Sequence, residues 1–172
     1  YHRVENREAK TGSMRFYLID RITEVAPAKY VEGLKLISMS DDVFDEHFPG
    51  YPVFPGSLIL EGLAQMSGLF FEYCLKQEGV TGKRAVLTLV NRMKYRRLVI
   101  PGDCLHYRAD VKAFYPDAYA TVTVKATCEG KRYAEGELFF SFLNDIMDEE
   151  MQKTTDRLMT LAFRNARVIS EK

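Results

Sequence analysis

The sequence predicts an α+β fold in which an antiparallel sheet wraps one long central helix, with a further helix at the C-terminal end. Three observations predict it. Residues 57–77 are apolar on nearly all sides, the pattern of a helix buried in a core. Short strand-like runs precede that segment, and a series of alternating runs separated by turn residues follows it. An all-round apolar helix and a sheet with one apolar face satisfy each other when the sheet curves round the helix.

The elements follow in order. Residues 1–13 are polar and charged and end in Thr11-Gly12-Ser13 before Met14, so they read as an expression-tag remnant or a mobile arm, with no apolar stretch of a signal peptide. Residues 15–25 are strand-like until Ala26-Pro27-Ala28 breaks them, and residues 30–38 alternate as a second strand. Asp41-Asp42 opens a loop that leads to His47. Pro55-Gly56 marks the start of the long helix with Ser57 as its N-cap, and residues 79–82, with a glycine at each end, stop it. Strand runs then cover 85–89, 93–99, 105–115 and 119–128. Glu129-Gly130 turns the last of these into 133–143 as a hairpin.

Residues 144–172 read as a helical extension of the domain at 14–143. Asn144 is the expected cap, Asp145, Asp148, Glu149 and Glu150 crowd the first turns, and Arg164 and Arg167 lie near the end, where they complement the helix dipole. Met147, Met151, Leu158 and Leu161 form a partial apolar stripe, which covers the chain's own body or meets a second subunit.

Composition removes several function classes. The chain has 172 residues, enough for one domain with a sizeable core. Its 24 basic and 24 acidic side chains balance, which argues against a nucleic-acid partner. Cys74, Cys104 and Cys128 are odd in number and form no C-x-x-C pair, which favours a reducing cytoplasm over a disulfide scaffold or a zinc site. His2, His47 and His106 lack metal-ligand spacing, so no metal is expected. Glu61, Gln65 and Glu72 interrupt the long helix, which favours a buried helix over a membrane span.

The chemistry-bearing residues sit at the start of that helix. Glu61 and Gln65 are four apart and share a helix face. A carboxylate among Leu58, Ile59, Leu60 and Leu63 is costly unless partnered or used. The preceding loop carries Pro49, Pro52 and Pro55, which limit its freedom and hold His47 in one pose. Backbone N–H groups at the helix start, Gly56 foremost, offer donors for a developing negative charge. A single histidine in a turn is ordinarily a solvated one, and a single glutamate on a helix is ordinarily at the surface. The two together, joined by a rigid loop, make an acid/base set.

These residues resemble a known family. His47-Phe48-Pro49-Gly50-Tyr51-Pro52-Val53-Phe54-Pro55-Gly56, followed by a helix with Glu61 and Gln65, is similar to the active-site segment of the β-hydroxyacyl-acyl-carrier-protein dehydratases, the Z type of bacterial fatty acid synthesis. Leu18-Ile19-Asp20-Arg21, Lys94-Tyr95-Arg96-Arg97 and Val99-Ile100-Pro101-Gly102-Asp103 extend the likeness over roughly residues 14–143. The resemblance implies a hot-dog fold and the dehydration of β-hydroxyacyl thioesters to enoyl thioesters, with no cofactor beyond the phosphopantetheine arm of acyl carrier protein. It implies His47 as general base, Glu61 as general acid, the Gly56 N–H as oxyanion donor, and Gln65, Val53 and Phe54 as supporting or tunnel residues. It also implies a homodimer with shared active sites, often assembled further into a trimer of dimers. Lys83, Arg84, Arg92, Lys94, Arg96 and Arg97 are candidates for docking the acidic carrier protein, although basic residues on an edge strand commonly serve only to solvate it.

Two other classes stay open: a thioesterase on the same fold, with Glu61 activating water, and a non-catalytic acyl-binding subunit. His47 in its loop argues against the first, and the presence of both His47 and Glu61 against the second. The isomerase-competent branch carries Asp where this chain has Glu61. Tyr51 and Phe54 are bulkier than usual for the family, and Gly62 stands where Ala is common.

Overall fold

In the computed structural model, residues 17–144 and 149–169 are described. A seven-stranded sheet holds strands β1 (Arg21–Ala26), β2 (Tyr30–Leu36), β3 (Lys83–Tyr95), β4 (Cys104–Tyr115), β5 (Tyr119–Cys128), β6 (Lys131–Asn144) and β7 (Arg167–Val168) in the order β3-β6-β5-β4-β2-β1-β7. All neighbours are antiparallel except β1 and β7. The sheet curves round helix α1 (Gly56–Gln77), as the apolar pattern predicts. A second helix, α2 (Glu149–Ala162), precedes β7.

The core forms where α1 meets the inward face of the sheet. Leu63, Met66, Phe70 and Phe71 of α1 are fully buried against Tyr107, Val122, Val124 and Leu138. Phe71 sits in an aromatic cluster with Phe114, Phe140 and Phe142 at centroid distances of 5.5–5.9 Å. By length and composition α1 could cross a membrane, but most of it is buried inside this fold, as for a core helix. Inward positions alternate along β6 and through the first half of β4, the period-two pattern that fixes strand register, until a register shift between Val111 and Ala113 changes the phase.

Several expected boundaries change. The first strand starts at Arg21, because residues 17–20 form an irregular lead-in that is tied by the Asp20 carboxylate to the Leu36 N–H at 2.6 Å. The runs at 85–89 and 93–99 are one strand, β3, which ends at Tyr95. The apparent gap between them is a pair of register shifts against β6, with Arg92 at φ 52°, so the strand bends without leaving the sheet. Glu129 and Gly130 both have positive φ and form the expected two-residue turn between β5 and β6.

Helix α1 begins at Gly56, with Pro55 in the capping position and no side-chain cap, so Ser57 lies inside the helix and does not cap it. At the other end α2 stops at Ala162. Arg164 and Arg167 lie beyond it, and the chain returns as β7 beside β1, with the Ile169 N–H donating to the Val25 carbonyl at 2.7 Å. Asn144 ends β6, opposite Lys83. The expected arm or tag at 1–13, the acidic residues Asp145 and Asp148, and Met147 lie outside the described residues.

Candidate active site

The loop before α1 is closed on itself. A short 3-10 turn, Asp42–Asp45, anchors it through buried Phe44, and the His47 N–H donates to the Val43 carbonyl at 3.0 Å. Val53 and His47 are joined twice. The Val53 N–H donates to the His47 carbonyl at 3.0 Å, and the Val53 carbonyl lies 2.7 Å from His47 Nδ1. A carbonyl only accepts, so Nδ1 carries the proton and Nε2 is left as the basic nitrogen. His47 is half-buried, and its ring stacks on Phe48 at 4.2 Å. The loop is therefore rigid for a reason beyond its prolines.

At the start of α1 the Leu58 and Ile59 N–H groups donate to the Pro55 carbonyl, while the N–H groups of Gly56 and Ser57 have no acceptor among the described residues. A Cβ on Gly56 would sit 3.0 Å from the Tyr95 ring. Glycine at this position lets β3 close against the helix start.

Glu61 and Gln65 meet as their spacing predicts. Gln65 Nε2 donates to Glu61 Oε1 at 2.9 Å, and Gln65 Oε1 accepts the Leu18 N–H, also at 2.9 Å. The amide thus couples the carboxylate to the lead-in of β1. Glu61 is half-buried, and it opens into a cavity of about 570 Å³, a volume typical of small-molecule sites. Ala64, Gly68, Leu69, Leu87 and Phe140 line its middle, and Leu158, Leu161 and Ala162 of α2 line one side. Its far end is polar. Arg84 Nη1 donates to Glu72 Oε2 at 2.6 Å, and Arg84 Nη2 reaches Thr155 Oγ1. Burial pushes the Glu72 carboxyl up, and the Arg84 guanidinium offsets part of that push.

A chain with this geometry has known relatives. A family profile described as a FabA-like domain matches residues 11–137. The 3-hydroxyacyl-[acyl-carrier-protein] dehydratase FabZ of Acetivibrio thermocellus is 39% identical over 132 residues, covering 75% of this chain and 86% of the relative. The chain belongs to the 3-hydroxyacyl-[acyl-carrier-protein] dehydratase family. The FabZ of Campylobacter curvus is 35% identical over 78% of this dehydratase and 93% of its own length. Among solved structures, the dehydratase heterocomplex ApeI:P from Xenorhabdus doucetiae superposes with a TM-score of 0.62 at 14% identity, over 81% of this chain and 90% of that one. It has the same hot-dog fold.

The remaining predicted residues of the dehydratase fall into different places. His47 and Gly56 do not line the cavity that holds Glu61 and Gln65 in the single chain. Val53 and Phe54 are buried in the core, Phe54 against Phe44 at 6.3 Å, and neither lines that cavity. Of the six basic candidates, Arg84 is turned inward to Glu72 and is no surface group. Lys83 is largely covered, bonded to the Pro116 carbonyl and Asp117. Arg96 pairs with Glu135, whereas Arg92, Lys94 and Arg97 are exposed. Sequence reasoning missed the Val53 carbonyl, the Leu18 N–H and the Arg84–Glu72–Thr155 set. The first two are backbone groups, which leave no trace in residue type.

Proposed function

We propose that this dehydratase removes water from β-hydroxyacyl thioesters carried on acyl carrier protein, with His47 as general base and Glu61 as general acid. His47 Nε2 takes the α-proton. The electron pair of that C–H bond forms the new C=C bond, the Cβ–O bond breaks, and Glu61 delivers a proton to the departing hydroxyl, which leaves as water. Each such group contributes about a hundred- to ten-thousandfold. Negative charge on the thioester oxygen is met by the unpaired Gly56 N–H, a contribution of about 3 kcal/mol. Gln65 is a positioning residue that fixes one carboxylate oxygen and leaves the other for substrate. The observation that carries the reading is the imidazole held by the Val53 carbonyl, with Nε2 basic, in a chain of this family whose Glu61 opens to a cavity.

The active unit in this reading is a homodimer, in which His47 of one copy completes the Glu61 cavity of the other. Three observations support it. His47 is absent from the cavity lining. β3 stands at the sheet edge. Leu89, Val90, Tyr95, Leu98 and Ile100 are exposed on or just after that strand, an apolar surface suited to a second copy. Lys94 and Arg97, with Arg92 and Arg96 beside them, form the docking surface for the acidic carrier protein. Three unpaired cysteines fit a cytoplasmic setting.

The test follows enoyl product and free thiol together, in wild type, His47→Ala and Glu61→Gln, with a β-hydroxyacyl carrier-protein substrate. Enoyl formation that falls at least a hundredfold in both variants, with no thiol released, is expected. Thiol release without enoyl product would replace this reading with a thioesterase. Tight binding of substrate with neither product would make the chain an acyl-binding subunit.

A further inference from the structure

The helix α2 lies outside the segment that the family profile matches, yet it forms one side of the Glu61 cavity. It is fastened there at several points. Thr155 accepts a bond from Arg84 at 2.5 Å, Asp156 accepts one from Lys76 at 3.0 Å, and Phe163 stacks on Tyr73 at 5.3 Å. β7, just beyond it, is hydrogen-bonded to β1. A helix held by two side-chain bonds, by the Phe163 ring just after its end and by a strand is a fixed wall. Beyond Thr155, the face it turns to the cavity is apolar: Leu158 is half-buried, and Leu161 keeps 49% of its surface open.

Across from this wall, α1 presents Glu61, Gln65, Gly68, Leu69 and Glu72 in succession. The rise of a helix puts Glu61 and Glu72 roughly 16 Å apart along its axis. The cavity therefore extends along α1 from Glu61 and Gln65, past Gly68 and Leu69, to the Arg84–Glu72 ion pair. A Cβ on Gly68 would meet nothing nearer than 3.8 Å, so glycine there leaves open room in the channel. An apolar chain gains free energy for each methylene buried against Leu158 and Leu161, and gains least beside the Arg84–Glu72 ion pair, which is costly to desolvate further.

We propose that α2 is a side wall of the acyl pocket, and that Leu158 and Leu161 set the longest acyl chain that this dehydratase holds. The inference rests on the functional reading above, which places substrate at Glu61. It assigns a specificity role to an element beyond the family-matched segment.

The experiment measures binding of unreactive S-alkyl pantetheine thioethers of graded chain length to the full chain by calorimetry, for wild type, Leu158→Trp, Leu158→Ala and Leu161→Ala. Wild-type affinity should rise about fourfold per methylene up to a cut-off. Leu158→Trp should move the cut-off to shorter chains and lower the long-to-short affinity ratio at least tenfold. The alanine variants should move it the other way, and they suffice if the Trp variant does not fold. One cut-off common to all variants, or no binding by wild type at any length, would overturn the proposal. So would a change of oligomeric state with an unmoved cut-off, which would assign this face to contact between copies. Wild type that binds with the expected cut-off yet forms no enoyl product would leave the wall standing and refute the dehydration reading instead.

Discussion

At the scale of single residues, Gly62 shows how a close approach decides a side chain. A Cβ there would lie 2.5 Å from the Leu18 carbonyl oxygen and 2.7 Å from the Tyr107 hydroxyl, one of them backbone and the other in a buried ring. Gly62→Ala should therefore destabilise the fold by about 2 kcal/mol, despite the better helix propensity of alanine, and lower Tm measurably in a thermal melt. An unchanged Tm would show that Leu18 can move aside. The Glu61–Gln65 contact was legible because a spacing of four puts both side chains on one helix face. The basic residues were less so. Arg84 looks like its neighbour Lys83 in sequence, and only the packing of Glu72 and Thr155 beside it turns it inward.

At the scale of elements, hydropathy period located α1 and the alternating strands, and a local turn signal located the β5–β6 hairpin at Glu129-Gly130. Two features escaped because they depend on distant partners. β3 looked broken near Arg92, and its continuity comes from the β6 ladder on both sides of the bulge. The sequence of the extension predicts helix to its end, whereas residues 167–168 find a partner in β1, more than a hundred residues away in sequence. Helix α2 also makes a prediction about pH. The Lys76 bond holds the Asp156 carboxyl below the usual aspartate value, with Gln152 adding to the effect. A depressed carboxylate stabilises above its unfolded pKa and loses that contribution as pH falls through its folded one. Hydrogen exchange of α2 amides should thus quicken as pH is lowered below roughly 4, after correction for the intrinsic rate. Protection in α2 that is flat down to pH 3, at roughly the lower edge of ordinary carboxylate titration, would show that this tether contributes nothing.

At the scale of the whole molecule, the single chain separates what the proposed chemistry needs together: the Glu61 cavity does not include His47. In the proposed assembly a second copy and a carrier protein complete it, both meeting the surface around β3. Charge reversal at Lys94 and Arg97 should raise KM for carrier-bound substrate on the order of tenfold, a change of about 1.4 kcal/mol, and leave turnover of a small thioester mimic intact. Equal loss with both substrates would place these residues in the fold's own support. The most direct test of the central claim mixes two inactive proteins. His47→Ala and Glu61→Gln chains are unfolded together, refolded together and assayed for enoyl product. In a shared site, a mixed dimer carries one intact His47–Glu61 pair, so activity absent from each parent returns on mixing. Mixed dimers that form and remain inactive would contradict a site built from His47 of one copy and Glu61 of the other.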